Sequence, residues 1–268
     1  MNNNSEQRLI VPITDCVDVA YNEMRAAVVR HSGLIDIAHF IEPVVPVHPF
    51  SITNASFIVR LMAEAYSSRG ILYTIVNPIP TQPERIIGRT VKNNIIFSGR
   101  NNGVFGWLVD EWGCAEVYEI PDPGYIPFGG KHIYPSVIAA AWNGVPLSEL
   151  GKAMSPDSVR SIYIADGTVV HIDNFGIAKI KLHIDFRREF GVSDGDDINV
   201  YLNDEFLCRA KYSPRLMSLP SLSWGIYSGS SLGGLVELGI ARGNASAVGN
   251  IGIGDIISLR TGVDHGLG

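Results

Sequence analysis

The rhythm of apolar and polar positions changes near the middle of the chain. In the first half, short apolar runs alternate with longer segments whose apolar residues recur at helical spacing. "RLIVPIT" reads as a strand ending at Asp15, and "YNEMRAAVVRHS" as the helix after it. "GLIDIAHFI" reads as a strand, "ITNASFIVRLMAEAYSSR" as an amphipathic helix and "GILYTIVNP" as another strand. "NNIIFSGRNNG" gives a strand and loop, "VFGWLVDEWG" a helix, "CAEVYEI" a strand, and "PSVIAAAWNGVPLSELG" a helix with its connection. This order predicts an α/β domain with a largely parallel sheet covered by helices. In such sheets ligands sit beyond the carboxyl ends of the strands, which singles out Asp15, Asn77 and Asn101-Asn102.

From about residue 160 the pattern becomes one of short alternating strands. They are separated by "DGT", "DNFG", "SDGDD", "LNDE", "SGSSLGG", "RGNAS" and "IGIGD", with no convincing helix among them. The expected organisation is an α/β domain over residues 1–157 and an all-β, barrel-like domain over 158–268. The tail "TGVDHGLG" is expected to fray. Alternation is clearest in "VVHIDNFGIAKIKLHIDF", residues 169–186. Val170, Ile172, Ala178, Ile180, Leu182 and Ile184 keep one step, and Val169, His171, Ile177, Lys179, Lys181 and His183 keep the other. Asp173-Asn174-Phe175-Gly176 interrupts them. These residues suit a tight turn. They also suit a small-molecule contact, with Asp173 as counter-ion and Phe175 as stacking surface.

Composition narrows the function classes. The chain has 268 residues, 46% hydrophobic and 18% charged, enough to bury a large core. A net charge of −6 gives no electrostatic footprint for nucleic acid. No apolar run is long enough to span a bilayer, and "MNNNSEQR" lacks the apolar core of a signal peptide. Cys16, Cys114 and Cys208 are scattered and form no CxxC pair, so they read as reduced thiols. A soluble cytoplasmic enzyme acting on a small molecule is the expectation, without nucleic-acid or membrane partners.

Several chemistries drop out. The seven histidines form no HExxH or zinc-spaced Cys/His cluster, so no metal site is expected. There is no P-loop, no GxGxxG after a strand and no GxSxG elbow. Cys16 lies beside Asp15 but lacks the basic surroundings that would activate a thiol. Polar residues at strand ends and in loops remain. Asp15 can accept both hydroxyls of a ribose, or it can cap the helix that follows. Asn102 in "SGRNNGVFG" offers an amide, and Ser230-Ser231 in "SGSSLGG" offer hydroxyls and backbone N–H groups suited to a carboxylate. Each has an equally good structural reading.

Together and in order, these segments resemble one family, the S-adenosylmethionine hydroxide adenosyltransferases with the related fluorinases and chlorinases. "LIVPITD", "LIDIAHFIEP", "ILYTIVNP" followed by Arg85, "IIFSGRNNG", "GVPLSELG", "HIDNFG" and "GSSLGGLVELGIARGNAS" carry the resemblance. It implies an α/β domain followed by a β-barrel, with S-adenosylmethionine as substrate and no further cofactor. It also implies a homotrimer with its sites at subunit interfaces. Asp15 would hold the ribose and Asp173 the amino group of the methionine. Ser230, Ser231, Arg242 and Asn244 would lie in the loop and strand that hold the carboxylate and the adenine edge. Arg85 matches the family's nucleophile-handling arginine.

The departures fall on the reacting centre. Asn77 stands where hydrolytic members have an aspartate, and an amide cannot serve as a carboxylate base. Gly129-Gly130-Lys131-His132 replaces a His-Gly-Arg-Asp run, leaving Lys131 and His132 as candidate bases. Ile177 replaces an asparagine, and Pro80 a fluoride-contacting hydroxyl. The resemblance therefore implies displacement at a sulfonium-attached carbon, by water giving adenosine and methionine. The alternatives are ring closure of the methionine portion with loss of methylthioadenosine, and binding without catalysis.

Overall fold

The computed structural model describes residues 8–76, 84–124 and 126–261. Asn77, Pro80 and the tail beyond Thr261 lie outside the described residues. The chain divides into two compact units, Met1–Ile162 and Tyr163–Gly268.

In the first unit, β1 (Leu9–Thr14) leads into α1 (Val19–Ser32), β2 (Val45–Pro46), α2 (Ile52–Tyr66) and β3 (Gly70–Ile75). Then come β4 (Arg85–Thr90), β5 (Ile96–Arg100), α3 (Gly106–Trp112), β6 (Cys114–Glu119), α4 (Gly129–His132), α5 (Tyr134–Trp142) and β7 (Lys152–Met154). The sheet order is β2-β1-β3-β5-β4-β6-β7. β2, β1, β3 and β5 are parallel neighbours, but β4 runs antiparallel to both β5 and β6, and β6 antiparallel to β7. The sheet is mixed, which corrects the expectation of a largely parallel one.

The cause is β4, which the apolar pattern hides. Arg85, Ile86, Ile87 and Gly88 are all buried, so the strand shows no alternation. It turns directly into β5 through Asn93 and Asn94, at φ 61° and 54°. Consecutive left-handed residues suit a tight hairpin, and asparagine tolerates that region better than most residues. Thr90 fastens the turn, its hydroxyl donating to the Lys92 carbonyl at 2.7 Å and accepting from the Ile95 N–H at 3.0 Å. Gly88 is required here, since a Cβ would sit 2.5 Å from Phe97 Cζ.

"GLIDIAHFI" also departs from expectation. Ile35–Phe40 forms a 3-10 helix in which only Ile37 is fully buried. Leu34 and Ile35 are exposed, so the short apolar run that resembled a strand is not a buried face. α1 and α5 pack together over the sheet face carrying Ile10, Tyr73, Ile87 and Ile96. Val11, Ile13, Leu72 and Phe97 alternate to the other face, where α2 crosses β1 and β3 and packs on α3.

The second unit contains β8 (Val169–Ile172), β9 (Ala178–Ile180), α6 (Phe186–Phe190), β10 (Asp197–Leu202) and β11 (Glu205–Tyr212). β12 (Trp224–Ser228), β13 (Val236–Ile240), α7 (Ala245–Gly249) and β14 (Ile257–Thr261) complete it. The sheet order is β14-β10-β11-β12-β13-β9-β8, antiparallel except for β11 with β12. It is not a closed barrel. An isolated bridge, Thr168 to Ile256, joins the segments that enter the two edge strands. α6 and α7, five residues each, are helices that the turn-rich pattern concealed. Both begin on side-chain caps, Asp185 accepting from the Arg188 N–H and Asn244 from the Ala247 N–H. Val169, Ala178, Ile180, Ile198, Val200, Ile226, Val236 and Leu238 form the core of this unit.

Candidate functional site

Strand direction gathers polar residues on one edge of the N-terminal sheet. β1, β3 and β5 end there, β4 begins there, and β6 ends there because it opposes β4. The edge therefore collects Asp15, Arg85, Arg100 to Asn102, and the segment leading to Asp122.

Asp15 follows β1 directly. The cap of α1 is Asp18, whose carboxylate accepts from the Ala20 N–H at 2.9 Å, so Asp15 is not the helix cap. Asp15 Oδ2 instead accepts from the Phe50 N–H at 3.1 Å, on the loop before α2. Phe50 is 72% exposed and holds φ at 62°. A carboxylate beside an exposed ring in a strained backbone position is a ligand-type arrangement. The sequence pattern did not reveal Phe50, because the loop "HPFS" shows no period. Cys16 Sγ lies 3.7 Å from Asp15 Oδ1. Burial raises this thiol above its ordinary range, so it is a protonated donor rather than a nucleophile.

Arg85 and Arg100 are register partners on β4 and β5. Arg85 is 4% exposed, and its Nη1 lies 2.6 Å from Asp122 Oδ1. That hydrogen bond, with the Gly124 N–H, holds the Asp122 carboxyl below the usual carboxylate range. Burial lowers the Arg100 guanidinium, with repulsion from Arg85 adding to the shift. Tyr134, on α5, is buried and its hydroxyl is pushed well up by desolvation. Arg85 Nε and the Tyr134 hydroxyl are buried without hydrogen-bond partners.

The other N-terminal candidates are spoken for or peripheral. Asn101 is structural: it donates to the Ser158 carbonyl at 3.0 Å and accepts from the Arg160 N–H at 2.8 Å. Asn102 Oδ1 accepts from the Val104 N–H at 3.3 Å, forming the turn into α3. Lys131 Nζ pairs with Glu23 Oε1 at 2.6 Å, which turns it toward α1. His132 is exposed at the end of α4. Among the described residues no group of three or more His, Cys, Asp or Glu side chains could hold a metal. No described helix is long and apolar enough to cross a membrane.

The second unit holds its own polar assembly. Asp173 closes the turn between β8 and β9, with Oδ1 accepting from the N–H groups of Phe175 and Ile177, each at 2.9 Å. The turn reading is thus correct. It uses one carboxylate oxygen and is compatible with a ligand at the other. Phe175 is 64% exposed on the turn. Gly176 has φ 79°, and a Cβ there would lie 2.0 Å from Asn244 Oδ1, so the turn and Asn244 are neighbours.

A row of side chains crosses the sheet beside this turn. His171 pairs in register with Lys179, Lys179 with Glu237, and Glu237 with Tyr227. Lys179 Nζ and Glu237 Oε1 form a close ion pair with side chains 15% and 8% exposed. Burial raises the Tyr227 hydroxyl, with Glu237 and Asp173 adding to the shift, and burial lowers His171. The loop after β12 packs here too, since a Cβ on Gly229 would meet the Glu237 carboxylate at 2.2 Å. Ser230 is exposed on that loop and Ser231 is buried, its carbonyl accepting from the Gly234 and Leu235 N–H groups. Arg242 is directed elsewhere, to the carbonyls of Leu219 and Met217 at 3.3 Å. The row was missed as a site, although the out-of-step His171 and Lys179 and the lone charge of "LVELGI" announce it.

Residues 10–151 match the model of the SAM hydroxide adenosyltransferase N-terminal domain, which spans more than half of the chain. The chain belongs to the SAM hydroxide adenosyltransferase family. A curated relative is the (R)-S-adenosyl-L-methionine hydrolase of Methanocaldococcus jannaschii, 26% identical over 159 residues. That match spans 57% of this chain and 56% of the relative, so the chain is aligned with only about half of that protein's length. Among solved structures, an uncharacterized conserved protein from Thermotoga maritima has a TM-score of 0.82 at 21% identity, covering 94% of this chain and 100% of its own. A conserved hypothetical protein from Thermus thermophilus has a TM-score of 0.71 at 15% identity, with the same coverage. At these identities the likeness establishes the fold. Within the family match fall Asp15, Arg85, Lys131 and His132, whereas Asp173, Phe175, Ser230, Ser231, Arg242 and Asn244 lie beyond it.

Proposed function

We propose that this chain is an enzyme that cleaves S-adenosylmethionine by displacement at C5′ of its ribose, with water as nucleophile. The O–C5′ bond forms as the C5′–S bond breaks, and the bonding pair goes to sulfur. The products are adenosine, L-methionine and a proton released to water. The positively charged sulfonium leaves as a neutral thioether, so the protein mainly supplies alignment and controlled desolvation.

The observation that carries this reading is Asp15. It sits at the carboxyl end of β1, is not the helix cap, and is oriented by the Phe50 N–H. Its carboxylate suits a ribose diol, and Phe50 offers a flat apolar surface beside it. Arg85 lies on the same edge, where it would orient the attacking oxygen. Asp173, through Oδ2, would hold the methionine ammonium, with Ser230 or Ser231 at the carboxylate and Asn244 near the adenine. Membership of the family supports cleavage of S-adenosylmethionine, and the curated relative is named a hydrolase of (R)-S-adenosyl-L-methionine. A homotrimer, with sites shared between subunits, is part of the same proposal and is tested by sedimentation of the purified chain.

A second reading rests on a specific replacement. Asn77 removes the expected carboxylate base, while Lys131 is held by Glu23 and His132 is exposed. Without a base for water, the methionine carboxylate can displace its own sulfur. Its oxygen bonds to Cγ as the Cγ–S bond breaks and the pair goes to sulfur, giving a lactone and methylthioadenosine. Closure to a cyclopropane amino acid also requires Lys131 or His132 to take the Cα proton. Incubation with S-adenosylmethionine followed by mass spectrometry separates the readings. Adenosine with methionine supports hydrolysis, and methylthioadenosine above the uncatalysed background supports ring closure. Intact substrate at high enzyme concentration, with tight binding, overturns both in favour of a sensor of S-adenosylmethionine.

A further inference from the structure

The loop of residues 229–235 closes on itself and is tied to one neighbouring segment. The Gly229 N–H donates to the Leu235 carbonyl at 2.8 Å, and the Gly234 and Leu235 N–H groups donate to the Ser231 carbonyl at 3.0 Å. Residues 182–184 run alongside. The Val236 N–H donates to the Leu182 carbonyl at 2.8 Å and the Ser228 hydroxyl to the Ile184 carbonyl at 3.3 Å, so both ends of the loop are fixed. Between those ties His183 Nε2 lies 2.9 Å from the Leu232 carbonyl oxygen, at the crest of the loop. A carbonyl only accepts, so Nε2 carries the proton and donates it.

The crest held in this way is strained. Leu232 has φ 46° and ψ 50°, and Gly233 and Gly234 follow at φ 77° and 102°. Glycine adopts this region freely, but a leucine does so only where its surroundings over-determine it. Leu232 is 8% exposed, so packing and the His183 hydrogen bond together keep it there. Ser230 and Ser231 directly precede it, and the directions of their hydroxyl and N–H groups depend on that backbone.

We propose that His183 is a positioning residue for recognition of the substrate's carboxylate, acting through loop 230–234 rather than on the substrate itself. The inference rests on the cleavage reading, which puts the methionine carboxylate at Ser230 or Ser231, and it adds the residue that gives the loop its binding shape. A loop already held need not be ordered on binding, which preserves affinity.

The test compares S-adenosylmethionine with its decarboxylated analogue, which keeps the adenosine, sulfonium and amine but offers the loop no carboxylate. Dissociation constants come from calorimetry on the full chain, and initial cleavage rates give kcat and KM. His183→Ala should weaken binding of S-adenosylmethionine about three- to tenfold. KM should rise with kcat nearly constant, and the analogue's dissociation constant should not move. His183→Gln, whose amide can donate to the same carbonyl, should restore the parent values. If His183→Ala does not fold, His183→Asn, whose amide stops short of Leu232, carries the comparison. A merely structural role would weaken both ligands equally. That result, or no weakening of either, overturns the inference and leaves the cleavage reading standing. A parent protein that binds neither ligand overturns the cleavage reading and the inference with it.

Discussion

The two sheets place charge in opposite ways. On the C-terminal sheet the row His171, Lys179, Glu237, Tyr227 joins opposite charges across register partners, and the buried ion pair answers itself. On the N-terminal edge Arg85 faces Arg100, with one half-exposed carboxylate acting on both and two donors left over. The first arrangement is self-sufficient and needs only to fold. The second leaves Arg85 Nε and the Tyr134 hydroxyl buried without hydrogen-bond partners. Asp173 stands between the two cases, with one carboxylate oxygen spent on its turn.

The self-sufficiency of the row can be broken first, with the largest effect. Glu237→Ala strands a buried ammonium and should cost about 3–5 kcal/mol, read from urea unfolding. The double variant Lys179→Met, Glu237→Leu should recover most of that loss. Failure of the double variant to recover would show that the row has duties beyond its own pairing. Next in size, Asp173→Asn keeps an oxygen for the Phe175 and Ile177 N–H groups but removes the charge. S-adenosylmethionine should then bind ten- to a hundredfold more weakly, corresponding to about 1.5–3 kcal/mol, with the unfolding midpoint unchanged. Equal dissociation constants for the two proteins would reduce Asp173 to a turn residue. Gly176→Ala should destabilise the fold by about 1–3 kcal/mol, since it places a Cβ at φ 79° against Asn244. A stable variant would mean that Asn244 swings away freely, and its proximity to the turn would lose its significance.

The smallest effect is a pH slope. Burial, with Lys179 nearby, lowers His171 below its ordinary value of 6.5, while Asp173 and Glu237 oppose the shift. The unfolded chain then binds the proton first. The contribution of His171 to stability is complete above pH 6.5 and is lost as pH falls from there through the lowered folded-state value. His171→Gln should flatten that part of the stability profile. An unchanged slope would mean that other groups dominate the range.

Much of this organisation was legible in the sequence, where local pattern and tertiary role agree. Amphipathic α1 and α2, the strand ends at Asp15 and Arg100, and the change of texture in the second half all follow from period. β4 was not legible, because a strand buried on both faces carries no alternation, and its antiparallel direction comes from a two-asparagine turn. Ile35–Phe40 misled because its short apolar run fits a strand pattern without belonging to a buried face. The Asp173 turn was read correctly, but its division between two oxygens needed coordinates. Arg100 and Tyr134 were invisible as a pair, since 34 positions separate them and only the packing of α5 on the sheet brings them together.

The partly and fully buried thiols open an experimental route. Cys114 and Cys208 are pushed by burial to about 11 and about 12, and Cys16 is also raised. An exposed cysteine ionises near 8.5, so at pH 8 it presents on the order of a hundredfold more thiolate than Cys114 and on the order of a thousandfold more than Cys208. A maleimide dye would therefore label an engineered His132→Cys ahead of those two native thiols. Fluorescence from that position would report events at the end of α4 once Cys16, a partly exposed free thiol, has been replaced.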